Sequence, residues 1–332
     1  MAADRLYRIR SRQIVYSRLK SFEGAFAIVP DEADGFFVSN EFPPFDTNER
    51  RADYRYLGWY LRRPATWLAL SGEGRGIGAR RERLHPDEFL AHQLALPPLD
   101  VQRQIVARLD AVEARIAKRR NEAEAVGEEL AALLAAAFRR IAEDAPRARM
   151  ADVAPIVRRP VVIDTDATYR EIGARAFGRG LFEKPPLRGD SLTWQKLFLI
   201  EEGDLVVSNI KAWEGAFAVA DAAHHGAVGS HRYLTSVVDR RRATPGFIWF
   251  FLQSPPGIAQ MQAASPGSAD RNRTLSQDRF AAIEVPLPSL DAQHWFDALQ
   301  QKARAAREAQ AFAAAELEHL MPALLAEAFG SG

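Results

Sequence analysis

With 332 residues, 47% of them hydrophobic and 26% charged, the chain is too long for one ordinary core and too apolar for wholesale disorder, so two or more globular units are expected. It contains no cysteine, and its seven histidines lack HxxxH or HExxH spacing, which excludes disulfides and thiolate ligands and leaves no metal or cofactor site expected. The formal net charge of +1 conceals basic runs at Arg80–Arg83 and Arg271–Arg273 that suit a polyanion, while no apolar run approaches the roughly 20 residues of a membrane span and no signal peptide opens the chain. A cytoplasmic location without a membrane partner is the expectation.

In chain order, the β-prone run LYRIRSRQIV from Leu6 leads into KSFEGAFAIV from Lys20, and that phrase returns as KAWEGAFAVA from Lys211. The offset of 191 also sets Gly35 on Gly226, Ser39 on Ser230, Leu61 on Leu252, Leu84 on Leu275, Phe89 on Phe280 and Gln102 on Gln293, with no gap. A register held over roughly 90 residues marks a tandem duplication. Each copy begins with short runs rich in Val, Ile, Phe and Gly, such as GDLVVSNI, which read as strands of a mixed α/β (α+β) domain. LALPPLDVQ in one copy and VPLPSLDAQ in the other then close the domain, because proline has no backbone donor and holds its predecessor out of the α region. The aspartate that follows can cap a new helix.

Four segments result: a globular unit at 1–98, a spacer helix at 99–145, a second globular unit at 146–288 and a second spacer helix at 289–332. In the first helix Ile105, Leu109, Val112, Ile116, Ala123, Val126, Leu130, Leu133 and Ala137 recur at spacings of three and four, interrupted at Arg119; in the second the stripe is Phe296, Leu299, Ala303, Ala306, Ala313, Leu317 and Leu320. Such seams predict two helices that pair as an antiparallel coiled coil.

No catalytic residue is assigned. Neither GxGxxG nor [DN]PP[YF] occurs, and FPPF from Phe42 lacks the leading Asn or Asp that would hold an extruded base. The glycine run at Gly72, Gly74, Gly76 and Gly78 has no GK[ST] after it and reads as a flexible loop rather than a phosphate cradle.

Taken together, GDLVVSNI, the WEGAFAV phrase, the LPPLxxQ signature at Leu96 to Gln102 with its partner at Leu287 to Gln293, and the heptad helix after each resemble the specificity (S) subunit of type I restriction-modification systems over nearly the whole chain. The resemblance implies a non-catalytic subunit whose globular units are target recognition domains, each reading one half of a bipartite site in double-stranded DNA. It also implies that the paired helices set the spacer and dock two methyltransferase subunits, with restriction motor and nuclease subunits joining for cleavage. The alternative is a duplicated coiled-coil scaffold without DNA readout.

Arg and Lys can pair with guanine and Asn or Gln with adenine in the major groove, so the candidate DNA-binding residues are polar loop side chains, several of which differ between the copies while the framework is kept. They are Arg18, Lys20, Asn40, Arg80 and Arg81 in the first unit and Asn209, Lys211, His231, Arg232, Arg271, Asn272 and Arg273 in the second. The aromatics Phe22 and Trp213 read as core, and the shared EGAF as a scaffold turn. About 40 residues at the start of the second unit, from Ala151 to Ser191, find no counterpart in the first at the offset of 191, so the first unit is expected to expose strand edges and to be the less stable of the two.

Overall fold

The computed structural model describes residues 6–71, 83–192, 195–267 and 273–330. The chain divides into two compact units, one made of residues 1–126 and 307–332 and the other of 127–306. In the first unit the elements run β1 (Leu6–Arg8), β2 (Ile14–Tyr16), β3 (Phe26–Ile28), β4 (Phe37–Ser39), β5 (Pro44–Phe45), α1 (Tyr54–Leu61), α2 (Pro64–Ser71), α3 (Pro86–Ala91) and the opening of the long helix α4 (Leu99–Ala142). The second unit continues with β6 (Arg147–Arg149), α5 (Met150–Val153), β7 (Thr168–Tyr169), β8 (Ile172–Ala174), β9 (Leu181–Glu183), β10 (Leu187–Arg188), β11 (Leu197–Leu199), β12 (Leu205–Ser208), β13 (Phe217–Val219), β14 (Val228–Ser230) and β15 (Tyr233–Ser236). It closes with α6 (Pro245–Gln253), α7 (Pro255–Ala264), α8 (Gln277–Ala281), β16 (Glu284–Pro286) and the start of α9 (Leu290–Phe329).

The duplication holds strand for strand. The ribbon β1–β4 matches β11–β14, the sheet β3–β2–β5 matches β13–β12–β15, and all these pairings are antiparallel. The repeated phrase forms a 3-10 turn in each copy, ended by Gly24 at φ 81° and Gly215 at φ 76°, where an L side chain would be strained. Lys20 pairs with Glu23 at 3.1 Å and Lys211 with Glu214 at 2.8 Å across the two turns.

The signature glutamine is fully buried in both copies and ties the long helix to the strand-to-helix loop of its unit. Gln102 accepts from the Asp53 amide (2.9 Å) and donates to the carbonyls of Arg51 (3.0 Å) and Pro97 (2.7 Å). Gln293 repeats this with Thr244 (3.0 Å), Arg242 (3.1 Å) and Pro288 (2.9 Å).

Within each unit the long helices run antiparallel. In the first, Arg108 pairs with Glu327 at 2.9 Å and Arg120 with Glu318, over a cluster of Tyr56, Trp59, Val106, Leu109 and Leu325. In the second, Phe138 meets Phe296 at 5.5 Å and Arg140 lies over Trp295 at 5.5 Å, beside Leu134, Phe247 and Phe251. The seam differs from the heptad reading in detail. Leu133 is 51% exposed and Leu134 is buried; Ala306, Ala313 and Leu320 are exposed, while Met321, Leu324 and Leu325 face the core. A helix of 3.6 residues per turn drifts about 20° per heptad against a strict repeat of seven, which carries the stripe from position 133 to 134.

Asp297 sits on the second unit's helix with Gln300 donating to it at 3.1 Å, and burial pushes its carboxyl pKa above the usual carboxylate value against the opposing hydrogen bonds of Thr244 and Gln300. The folded state therefore holds this proton more tightly than the unfolded chain, and the stability it contributes is lost as pH rises through the raised pKa. Asp297→Asn should flatten that decline in urea unfolding measured from pH 4 to 8. Gln293→Ala leaves two carbonyls and an amide without their partner and should lower stability by about 2–4 kcal/mol, read from the urea midpoint. Leu134→Asp should destabilise the second unit strongly by burying a charge, and Leu133→Asp should be near silent in the same measurement.

Candidate nucleic-acid interface

Strand β12 ends at Ser208, and the chain turns because the Asn209 amide donates to the Arg232 carbonyl (2.8 Å) while the Asn209 carbonyl accepts from the Leu275 amide (2.8 Å). Three loops are thereby held together: the 209–215 turn, the tight turn at His231 and Arg232 between β14 and β15, and the segment from Arg273 to Leu275. His231, Arg232 and Lys211 are exposed there. The Trp213 ring lies half-buried between two cations, Lys211 Nζ at 5.5 Å and Arg273 Cζ at 4.8 Å from its centroid. Its Nε1, like Arg273 Nε, is buried without a hydrogen-bond partner among the described residues.

A fourth loop reaches the same turn. The Phe177 amide donates to the Glu214 carbonyl at 2.8 Å and the Gly178 amide to the Gly215 carbonyl at 3.1 Å, docking the β8–β9 hairpin. Phe177 is held at φ 59°, unusual for a bulky residue, and its ring is 72% exposed with Arg179 over it at 5.8 Å. Arg175 folds back over Phe182 at 4.8 Å.

The first unit builds the same crossing. The Arg18 amide donates to the Glu41 carbonyl (3.0 Å), and the Arg18 carbonyl accepts from the Leu84 amide (3.0 Å), so Arg18 occupies the place of Asn209. Its guanidinium reaches His85 Nδ1 at 3.4 Å, Arg83 pairs with Glu41 at 3.2 Å, and Asn40 and Lys20 are exposed nearby in sequence. Arg18 Nε and Glu41 Oε2 are buried without partners among the described residues.

The structure thus gathers Asn209, Lys211, Arg232 and Arg273, and sets Arg18 on the matching crossing in the first unit. Arg80, Arg81, Arg271, Asn272 and the glycine run lie outside the described residues. Phe22 and Trp213 are not core: Phe22 is half-exposed and Trp213 only partly covered, because each stands at the middle of a surface 3-10 turn. Arg175, Phe177 and Arg179 escaped the sequence reading, although GARAFGRG does interleave basic and aromatic residues between glycines. Comparison of the copies was silent there, since this segment has no partner at the offset of 191. Among the described residues no cluster of His, Asp or Glu could hold a metal ion, and no helix is long and apolar enough to cross a membrane.

Left-handed backbone at a residue with a Cβ costs roughly 1–2 kcal/mol, and the exposed Phe177 ring buries little in return. Phe177→Gly should therefore raise the stability of the second unit by about 1 kcal/mol, checked by urea unfolding.

No family model matches the sequence, and no curated protein matches it. Solved structures share its fold. The HsdS subunit from Thermoanaerobacter tengcongensis aligns over 98% of this chain and 82% of its own, at 21% identity and a TM-score of 0.54. A chain from a structure described as the basis of complex assembly and conformational transition of the type I R-M system aligns over 99% of this chain and 84% of its own, at 20% identity and a TM-score of 0.67. The mixed α/β fold with its long helices is therefore that of HsdS subunits over nearly the full chain.

Proposed function

We propose that the chain is a sequence-specific, non-catalytic DNA-binding specificity subunit of a type I restriction-modification complex, in which each unit reads half of a bipartite duplex site. The carrying observation is that two copies of one scaffold hold the same loop crossing, Arg18 with Glu41 and Leu84, Asn209 with Arg232 and Leu275, while the side chains displayed on it differ. A duplicated reader of two different half-sites needs a constant frame with variable polar tips. Arg273, Lys211 and Arg232 serve the second half-site, with Asn209 at the crossing and Phe177 at the rim as a stacking surface, and Arg18, Lys20 and Asn40 serve the first. Most of the basic contacts go to phosphate, which positions the reader, and the remainder to base edges. The likeness to the T. tengcongensis HsdS subunit and to a chain of the type I assembly supports this reading. On it, the partners are two methyltransferase subunits docked on the paired helices and the restriction subunits that join them.

The test is fluorescence anisotropy with duplex pools, with the chain alone and with a methyltransferase subunit. Affinity should fall steeply as salt rises, since bound phosphates release counterions. Selection from a randomised pool should return a two-part motif. Arg273→Ala should relax one half of that motif only, by about 1–3 kcal/mol if Arg273 pairs bidentately with guanine, whereas a uniform loss across sequences would assign it to phosphate. Phe177→Ala should weaken the same half. Binding that is absent at every salt concentration, with and without the methyltransferase, would favour the scaffold alternative.

A further inference from the structure

At the offset of 191, Glu41 and Arg83 of the first unit fall on Arg232 and Thr274 of the second, so the two arms of the loop crossing carry an anion and a cation in one copy and a cation and a neutral residue in the other. In the second unit Arg232 and Thr274 are both exposed. In the first the arginine stands on the opposite arm and a carboxylate takes the place that Arg232 holds in the second, with Arg83 Nη1 3.2 Å from Glu41 Oε1. The Glu41 side chain is 23% exposed and that of Arg83 48%, so the carboxylate backs the guanidinium from the protein side.

Both arms are fixed where they carry these residues. The Glu41 carbonyl accepts from the Arg18 amide at 3.0 Å, and the Phe42 amide closes the turn on the Ser39 carbonyl at 3.0 Å. On the other arm Arg83 precedes a residue held at three points. The Leu84 amide donates to the Arg18 carbonyl (3.0 Å), the Leu84 carbonyl accepts from the Tyr16 hydroxyl (3.2 Å), and the Leu84 side chain is buried. His85 follows with its amide on Glu88 Oε2 at 2.9 Å, in the capping box of α3. Arg83 therefore leaves a fixed backbone and is braced at its tip, a combination that lowers the conformational cost of binding.

Stability does not account for the brace. A partly exposed ion pair contributes little, and this one leaves Glu41 Oε2 buried with no partner among the described residues, which is costly for a carboxylate. Phosphate binding does not account for it either, since a carboxylate behind a cation repels the backbone that the cation would attract. What the carboxylate supplies is orientation. Pairing through Nη1 leaves the Nε and Nη2 edge of the guanidinium, a planar fork that matches the O6 and N7 acceptors of guanine in the major groove. Resting on the specificity-subunit reading above, we propose that Arg83 reads a guanine in the half-site of the first unit and that Glu41 is its positioning residue.

The experiment selects duplexes from a randomised pool with the full chain and a methyltransferase subunit, for the wild type, Arg83→Lys and Glu41→Gln, and then measures anisotropy on the selected site. Arg83→Lys keeps the charge and removes the fork, so it should lower the preference for one guanine in one half of the motif by about tenfold, the worth of a bidentate pair. Glu41→Gln should relax the same guanine by about threefold and, with a negative charge gone, should raise affinity for unrelated duplex. A pair that only held the fold together would leave base preference alone. Replacing that guanine by 7-deazaguanine, which lacks the N7 acceptor, should weaken the wild type and affect Arg83→Lys far less. Hydrogen exchange at the Leu84 amide checks that the crossing survives each change. A loss that is uniform across sequences would assign Arg83 to phosphate and overturn the proposal, as would a motif unchanged by Arg83→Lys; relaxation by Arg83→Lys without any by Glu41→Gln would overturn the role of Glu41. A wild type that selects no motif at all would instead overturn the specificity-subunit reading itself, and this assignment with it.

Discussion

Everything displayed by either unit depends on one buried amide. A glutamine in the first turn of each long helix ties its side-chain amide to backbone groups, accepting one N–H and donating to two carbonyls. Buried backbone groups without partners are costly, so this side chain leaves the helix one position relative to the loop that precedes α1 or α6. A hydrophobic contact could slide along the helix surface; three directional bonds cannot.

With the frame set, the tips are free to change. The backbone bonds that cross the loops at Arg18 and at Asn209 involve no side-chain atoms, so substitution there alters what is presented without altering how it is held. The same logic explains the KxxEGAF turn, where an ion pair and a left-handed glycine preserve the backbone while Phe22 in one copy becomes Trp213 in the other. In the second unit that change brings an indole within reach of two cations and the β8–β9 hairpin.

The units also stabilise their helices by different chemistry on one plan. The first joins α1 to α4 through Trp59 Nε1 donating to Asp110 at 2.8 Å and through Arg62 pairing with Glu113 at 2.7 Å, whereas the second packs the rings of Phe138, Phe247, Phe250 and Phe296 in tilted and edge-on pairs. Arg63 in the first unit also donates to the carbonyls at the end of α9, satisfying helix-terminal acceptors that have no partner within the helix. Exposed ion pairs contribute little each, so the first unit leans more on its smaller apolar cluster.

The amino-acid sequence by itself determined the duplication, the mixed α/β class, the element order and the long helices, because these rest on local signals: a repeat register, proline stops, apolar periodicity, a glycine that tolerates positive φ. It also singled out Gln102 and Gln293 as equivalent, though not what they bind. Tertiary structure alone decided which side chains face inward, since burial is a property of neighbours and not of spacing; Leu134 rather than Leu133 lies in the seam, and Trp213 stands at the surface. It alone set Phe177 in a left-handed conformation, a choice made by two backbone bonds to a turn 37 residues away, Glu214 from Phe177.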